Sequence, residues 1–357
     1  MRSVAGICII LALVPALALA RAHAPKTRRA PAASTPAPAP AAPQVCGEDC
    51  LDSDVDKVLQ AMMDHDPSKA PLAADVRYTE NGEAKAPGQG FWATASAIAV
   101  EDDGLSTLGR SSSAYRLYFA DAASGQAAYF GAFTENGVPG MMMLRLKAAA
   151  GKITEIETVL VRRKDPPPTP PEPGLDPHGF DEPEPTLLAG GERWPPEVMA
   201  AAAGRYLDGM ATGSSAGVPL GSDCVRRDNG IQTTGRLDLP PPDPANPAYR
   251  PFALGCAAQL DSGFFSGVLG VRQRILVVNE DRGLVMALAM VDHGRKTPAP
   301  APAKKKRAKR NAPPPPPAPT LSTDLMGVIF KMSNGRITRI EAIARPVAKD
   351  APLGWTP

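Results

Sequence analysis

The chain has 357 residues, 43% hydrophobic and 21% charged, with a formal net charge of +2. That mixture excludes a wholly disordered polypeptide and a polytopic membrane protein. Its 41 prolines exclude one continuous core: 32 of them fall within 25–43, 164–196, 240–251 and 298–319. Two blocks of roughly 100–150 residues remain, each large enough for a core of its own.

Residues 1–20 read as a secretory signal peptide, with Arg2, an apolar run from Val4 to Leu19, and the small-x-small end Ala18-Leu19-Ala20. The apolar run is short for a membrane anchor and is broken by Pro15. A periplasmic or secreted location is expected, and with it an oxidising environment. Cys8 would leave with the signal. The remaining Cys46, Cys50, Cys224 and Cys256 admit three pairings, of which Cys46–Cys50 with Cys224–Cys256 closes each bridge inside one block. The Cys46-x-x-x-Cys50 spacing departs from the Cys-x-x-Cys of redox and zinc sites. His65 and His293 alone fall in folded regions, so no metal site is expected. The Pro/Ala-rich stretch 21–45 reads as a tether and the Pro-rich stretch 164–196 as an extended linker.

The two blocks carry the same phrases in the same order. Pro71-Leu72-x-x-Asp75 leading to Asn81-Gly82 returns as Pro219-Leu220-x-x-Asp223 leading to Asn229-Gly230, offset by 148. Gly151-Lys152-Ile153-Thr154-x-Ile156-Glu157 returns as Gly335-Arg336-Ile337-Thr338-x-Ile340-Glu341, offset by 184. Between them Gly125 matches Gly283 at 158, so the second block must hold insertions of 10 and 26 residues. Proline-rich excursions at 238–249 and 296–320 supply them, the latter expected as a disordered Pro/Lys loop.

Within each block the apolar spacing predicts a helix first, over 52–66 and 197–212. Hairpin turns of type I′ follow at the Asn-Gly pairs. Then come β-rich runs at 115–120, 126–135, 141–147 and 152–162, answered by 271–278, 284–292, 325–332 and 336–345. Helices before an antiparallel meander give an α+β fold with the helices on one face of the sheet.

This order of elements, the hairpin phrase Val76-Arg77-Tyr78-Thr79-Glu80-Asn81-Gly82 and the closing Gly-Lys/Arg-Ile-Thr-x-Ile-Glu strand resemble the nuclear transport factor 2-like superfamily. The closer likeness is to secreted bacterial and fungal proteins with two SnoaL-like copies, whose ending Ala351-Pro352-Leu353-Gly354-Trp355 also fits. The resemblance places the copies at 46–163 and 197–357. It implies two tandem cone-shaped units, each enclosing a pocket between a curved antiparallel sheet and its helices, and an intramolecular pairing of the copies through those sheets. It leaves activity open, since the superfamily spans dehydratases, isomerases, epoxide hydrolases, cyclases and binding modules.

Residues that differ between the copies are the candidates for acquired chemistry. Cys224, Arg226 and Asp228 alternate onto one face, matched by Val76, Tyr78 and Glu80. A cysteine bonded to Cys256 faces the helices, so Arg226 and Asp228 are expected to look into the cone. There Arg226 either bridges a carboxylate or holds an anionic or carbonyl group of a substrate. His293, after Asp292 at a strand end, is a candidate acid or base with an Asp as its orienting partner. Tyr78 and Tyr118 are candidate donors in the first cone, the role that the resemblance implies, or core tyrosines. Arg116/Arg274 and Glu157/Glu341 recur in both copies and read as structural ion pairs, with Arg274 kept as a candidate ligand contact. His65 reads as a helix cap. Gly213-Ser214-Ser215-Ala216-Gly217 mimics a nucleophile elbow but follows a helix rather than a strand. No dinucleotide fingerprint opens a helix, so no cofactor is expected.

The run Lys304–Arg310 carries six positive charges; the expected export removes a nuclear reading and no aromatic residue interleaves it for base stacking, so no nucleic-acid partner is expected and a solvated loop or contact with an anionic envelope surface is left. The sequence thus predicts an exported protein that binds a mostly apolar, oxygenated small molecule. Either it acts as a cofactor-independent lyase, dehydratase, isomerase or hydrolase by acid–base chemistry, or it is a non-catalytic binding or structural module of the envelope.

Overall fold

The computed structural model describes residues 46–99, 115–169, 173–177, 179–180, 187–238, 250–294 and 321–354. The signal segment, the 21–45 tether, Lys304–Arg310 and Trp355 lie outside the described residues.

The first copy opens with α1 (Glu48–Met63). Glu48 and Asp49 complement the positive end of its dipole, and Leu51, Val55, Val58, Leu59 and Met62 form the buried stripe. His65, at φ 56°, turns the chain out of the helix, and its Nδ1 lies 2.8 Å from the Trp92 carbonyl. Strands β1 (Leu72–Glu80) and β2 (Glu83–Lys85) form the first hairpin, followed by a turn of helix α2 (Phe91–Thr94). Then come β3 (Ala95–Ile98), β4 (Arg116–Asp121), β5 (Gln126–Glu135), β6 (Val138–Ala149) and β7 (Lys152–Arg162). The second copy repeats the plan with α3 (Pro196–Thr212), β8 (Leu220–Asp228), β9 (Ile231–Gln232), α4 (Arg250–Ala253), α5 (Cys256–Asp261), β10 (Val268–Asn279), β11 (Leu284–His293), β12 (Ser322–Ser333) and β13 (Arg336–Val347). A proline pair, Pro195-Pro196, starts α3, and Gly213 ends it at φ 66°.

The sheets run β2-β1-β7-β6-β5-β3, with β4 also on β5, and β10-β11-β12-β13-β8-β9. The fold is α+β, with helices on one face of each sheet. Both sheets are mixed rather than wholly antiparallel, because the first strand of each copy pairs in parallel with its last, β1 with β7 and β8 with β13. Asn81-Gly82 and Asn229-Gly230 take φ of 53° and 83°, and of 48° and 85°, the left-handed pair that a type I′ turn requires.

Three apolar clusters result. One lies between α1 and its sheet, one between α3 and α5 and theirs, and the third between the outer faces of the two sheets. In the third, Leu117, Phe130, Met141, Met143 and Val159 meet Leu276, Met286, Leu288, Ile329 and Ile343. Gly327 sits at this boundary because a Cβ there would come within 2.6 Å of Met143 Sδ. The copies therefore pair sheet to sheet within one chain.

The stretch expected as an extended linker is bound to the body where it is described. The Asp176 amide donates to the Asn229 carbonyl (2.7 Å), Asn229 Nδ2 to the Pro173 carbonyl (2.8 Å), and Phe180 is buried against Tyr115 and Phe130 in the inter-sheet cluster. Proline alone does not make a segment free. Fixed φ lowers the entropy lost on docking, and the carbonyls remain available as acceptors.

Candidate functional site

In the first cone Tyr78 and Tyr118 point toward α1, as alternation requires, but among packed neighbours. They join Trp92, Tyr129, Phe133, Met142 and Leu144 in the helix-side cluster, all at most 5% exposed. Tyr78 stands edge-on to Trp92, whose Nε1 donates to the Ala61 carbonyl of α1 at 3.0 Å. Its hydroxyl lies 3.4 Å from Glu80 Oε2, which accepts the Phe91 amide at 2.7 Å. Burial, with Glu80 beside it, pushes the Tyr78 phenol well above its ordinary value and keeps it protonated. Both tyrosines serve as core here.

In the second cone Arg226 is 1% exposed. Its Nη2 donates to Asp228 Oδ1 at 2.7 Å, Nε to the same oxygen at 3.0 Å, and Nη1 to the Tyr206 hydroxyl at 3.0 Å. Asp228 Oδ2 accepts the Thr233 hydroxyl at 2.6 Å, and the guanidinium stacks over Phe265, 4.6 Å from its centroid. The disulfide Cys224–Cys256 ties β8 to α5 directly beside this cluster, and Gln259 of α5 donates to the Thr233 carbonyl. Of the two roles open to Arg226, the structure shows the bridge to a carboxylate. Its charge is neutralised inside the fold, with Asp228 as the counterion.

Arg274 stands at the boundary between the two sheets. It crosses the sheet–sheet boundary to Glu157 (Nη1 to Oε1, 2.6 Å) and donates to the Leu353 carbonyl at 3.1 Å. Cys46 and Cys50 are bonded to each other at the start of α1. With Asp54 they form the one trio of metal-type ligands within 4.8 Å among the described residues, but the disulfide occupies both sulfurs and Asp54 pairs with Lys57 at 2.9 Å.

His293 is different. It ends β11 opposite Ser322 on β12, and Asp324, two residues along β12, shares its face. Both are buried, at 2% and 1% exposure. His293 Nε2 lies 3.2 Å from Asp324 Oδ2, near enough for an ion pair but not aligned as a hydrogen bond. Neither ring nitrogen and not Asp324 Oδ1 has a hydrogen-bond partner among the described residues. Oδ2 is held by the Thr169 amide at 2.8 Å, and the Thr169 and Ser322 hydroxyl oxygens are 2.9 Å apart. Beside the pair opens a cavity of about 240 Å³, lined by His293, Ser322, Thr323 and Asp292, with Leu269, Leu321 and the exposed Lys349.

The structure does not bring Arg226 and Asp228 to His293. Asp324 faces Pro346 on β13 and Asp228 faces Ala342, four residues along that strand. At about 3.3 Å per residue and about 4.8 Å per strand, the two clusters stand on the order of 16 Å apart. Asp324 and Thr169 are the members of this site that sequence reasoning missed. Asp324 lies across the 296–320 insertion, which hides its register against His293. Thr169 carried one signal: in Pro166-Pro167-Pro168-Thr169-Pro170-Pro171 it alone has an amide proton.

A family model, Domain of unknown function (DUF8021), matches residues 192–344, from just before α3 into β13. No curated protein matches the chain. Among solved structures it is similar to AclR, a proposed hydroxylase from Streptomyces galilaeus, at 7% identity over 42% of this chain and 81% of that one, with a TM-score of 0.26. It is similar to a proposed SnoaL-like polyketide cyclase from Jannaschia sp. CCS1, at 11% identity over 44% and 89% and a TM-score of 0.24. A proposed polyketide cyclase from Silicibacter sp. TM1040 matches at 16% identity over 43% and 92%, with a TM-score of 0.23.

Proposed function

We propose that this protein is an exported small-molecule-binding module whose working site is the His293–Asp324 cleft of the second copy, with the first copy as its structural pair-mate. The observation that carries this reading is a buried imidazole, His293, on the wall of a cavity, with the buried Asp324 carboxylate 3.2 Å behind it. Such a pair can move a proton: the carboxylate orients the ring and stabilises its protonated form while the ring takes or gives the proton. Cofactor-independent acid–base chemistry on a mostly apolar, oxygenated molecule is therefore the activity to look for. Export is supported by the two closed disulfides.

Thermal-shift screening of aromatic, terpenoid and sugar libraries tests the site. Ligands should raise the Tm of the full chain and of Tyr78→Phe but not of His293→Gln. Stabilisation that persists undiminished in His293→Gln overturns it.

A second reading, a purely structural tandem module, is favoured by the filled first cone and by the neutralised Arg226. It predicts no ligand in any library. Contact of Lys304–Arg310 with an anionic envelope surface belongs to this second reading, and binding of the intact chain to anionic vesicles, lost on deleting 297–319, tests it.

A further inference from the structure

The two copies close on one more shared phrase, Pro177-x-Gly179-Phe180 after the first and Pro352-x-Gly354-Trp355 after the second. Each extension runs back over the Asn-Gly turn of the other copy. A Cβ on Gly230 would come within 1.9 Å of the Asp176 carbonyl oxygen, and one on Gly82 within 3.0 Å of that of Pro352. The routes to these points differ in length. Arg162 at the end of β7 and Pro346 near the end of β13 are counterparts at the offset of 184, yet fifteen residues lead from Arg162 to Pro177 and six from Pro346 to Pro352.

The nine extra residues fill a place on the second copy that stays open on the first. On the second, the Pro173 carbonyl accepts from Asn229 Nδ2 at 2.8 Å, the Asp176 amide donates to the Asn229 carbonyl at 2.7 Å, and Leu175 packs on the inter-sheet cluster. On the first, a cavity of about 660 Å³ lies between the Asn81-Gly82 turn and the stretch from Arg345 to Pro352. That is within the ~300–1,000 Å³ of sites that enclose a ligand. Asn81 Oδ1 accepts the Leu160 amide at 2.8 Å, as Asn229 Oδ1 accepts that of Ala344. Asn81 Nδ2 is accessible and has no partner among the described residues, whereas Asn229 Nδ2 holds the linker. The Ala351 amide, counterpart of that of Asp176, turns back to the Ala348 carbonyl at 2.9 Å. Val347 and Ala351 give the cavity an apolar side. Glu83 and Asp350 add exposed carboxylates, and Arg345 is already held by Asp165 at 3.3 Å, which disfavours an acidic occupant.

We propose that this cavity is a docking groove for a short, extended, proline-containing and non-acidic peptide segment of a partner protein, seated as Pro173–Leu175 are seated on the second copy. A peptide carbonyl accepts from Asn81 Nδ2, an apolar side chain rests on Val347 and Ala351, and the fixed φ of proline lowers the ordering cost. The proposal is independent of the His293 cleft.

A capped, labelled peptide of residues 173–177 with Asp176→Asn is the probe, titrated to millimolar concentration against the intact protein by fluorescence anisotropy. Binding should saturate. Restoring Asp176, or replacing both prolines by Pro173→Gly and Pro177→Gly, should weaken it. Asp-Gly also suits a type I′ turn, and an Asp keeps the oxygen that accepts the Leu160 amide, so Asn81→Asp removes the donor while preserving the hairpin. It should lower affinity about tenfold, the scale of one lost hydrogen bond. Ala348→Trp, at an exposed wall position, should block the groove without touching Asn81. No saturable binding to the wild type, or equal binding to both variants, overturns the groove, and equal binding of the proline-free peptide overturns the ligand class. Self-association of the intact chain that Ala348→Trp abolishes would make a second copy the occupant and overturn the partner named.

Discussion

Glu157 of the first copy and Arg274 of the second are joined across the sheet–sheet boundary, Nη1 to Oε1 at 2.6 Å and Nη2 to Oε2 at 3.2 Å. Arg145 donates to the same Glu157 at 3.0 Å and also to Glu155, which holds Arg77 in turn. On the other copy Glu341 answers Glu157, and its Oε2 accepts the Tyr115 hydroxyl at 2.5 Å. Each copy thus completes a buried carboxylate of the other, around a shared apolar cluster.

Glu157→Ala leaves Arg274 without its carboxylate and Arg145 with Glu155 alone, the kind of broken buried pair that costs about 3 kcal/mol. Because the damaged contact belongs to both copies, they should lose stability together. Urea unfolding followed separately at Trp92 in the first copy and at Trp194, packed on the core of the second, in single-tryptophan variants, should give coincident midpoints, shifted down together by Glu157→Ala. Two separated transitions would show that the copies are independent.

Acid should weaken the fold through Glu135 and Glu155. Burial raises both pKa values. Hydrogen bonds from Arg162 and Thr94 to Glu135, and from Arg145 and Arg77 to Glu155, outweigh it and hold both below the usual glutamate value of 4.5. With folded values lower than unfolded ones, the unfolded chain binds more protons in the intervening window. The stabilisation is therefore complete above pH 4.5 and is lost as the pH falls through the folded values. Urea midpoints from neutrality to about pH 3 should fall, and less steeply in Arg162→Met, where Glu135 loses its main donor. An unchanged slope in Arg162→Met would disprove the assignment.

The disulfides differ in the chain they close. Cys224–Cys256 spans a sequence separation of 32 and Cys46–Cys50 one of 4. Loop-closure entropy assigns about 4 kcal/mol to the first and about 2 kcal/mol to the second. Cys224→Ser with Cys256→Ser should thus lower stability the more, and it also frees α5, whose Gln259 holds Thr233 beside Arg226 and Asp228. Denaturant midpoints of the two double variants provide the comparison, and an equal loss would count against the entropic account.

Much of the architecture was legible because local rules suffice for it. Strands 126–135 and 152–162 have the limits that their composition implies, the Asn-Gly turns have the φ values their type demands, and the two-residue period puts Arg226 and Asp228 on the face that looks toward α5. What was hidden depends on distant chain. Alternation aims Arg226 inward but cannot say that Tyr206 and Asp228 already hold it. A charge on Arg274 is visible, whereas its partner belongs to the other copy, 117 residues away. Asp324 meets His293 only through a strand register interrupted by an insertion.

Thr169 extends that dependence into the site itself. It comes from the segment between the copies, yet its amide is a donor to Asp324 Oδ2, the oxygen 3.2 Å from His293 Nε2. Thr169→Pro removes that donor from a stretch already set for an extended, proline-type backbone by Pro168 and Pro170, so the path should survive while the carboxylate loses its anchor. Thr169→Val keeps the amide and removes only the hydroxyl near Ser322. If Thr169 positions Asp324, Thr169→Pro should shift the His293 imidazole NMR signals, because the neighbouring carboxylate loses a charge-assisted hydrogen bond, while Thr169→Val leaves them in place. A Thr169→Pro protein with lowered Tm but unchanged His293 signals would reduce Thr169 to a fastening of the linker.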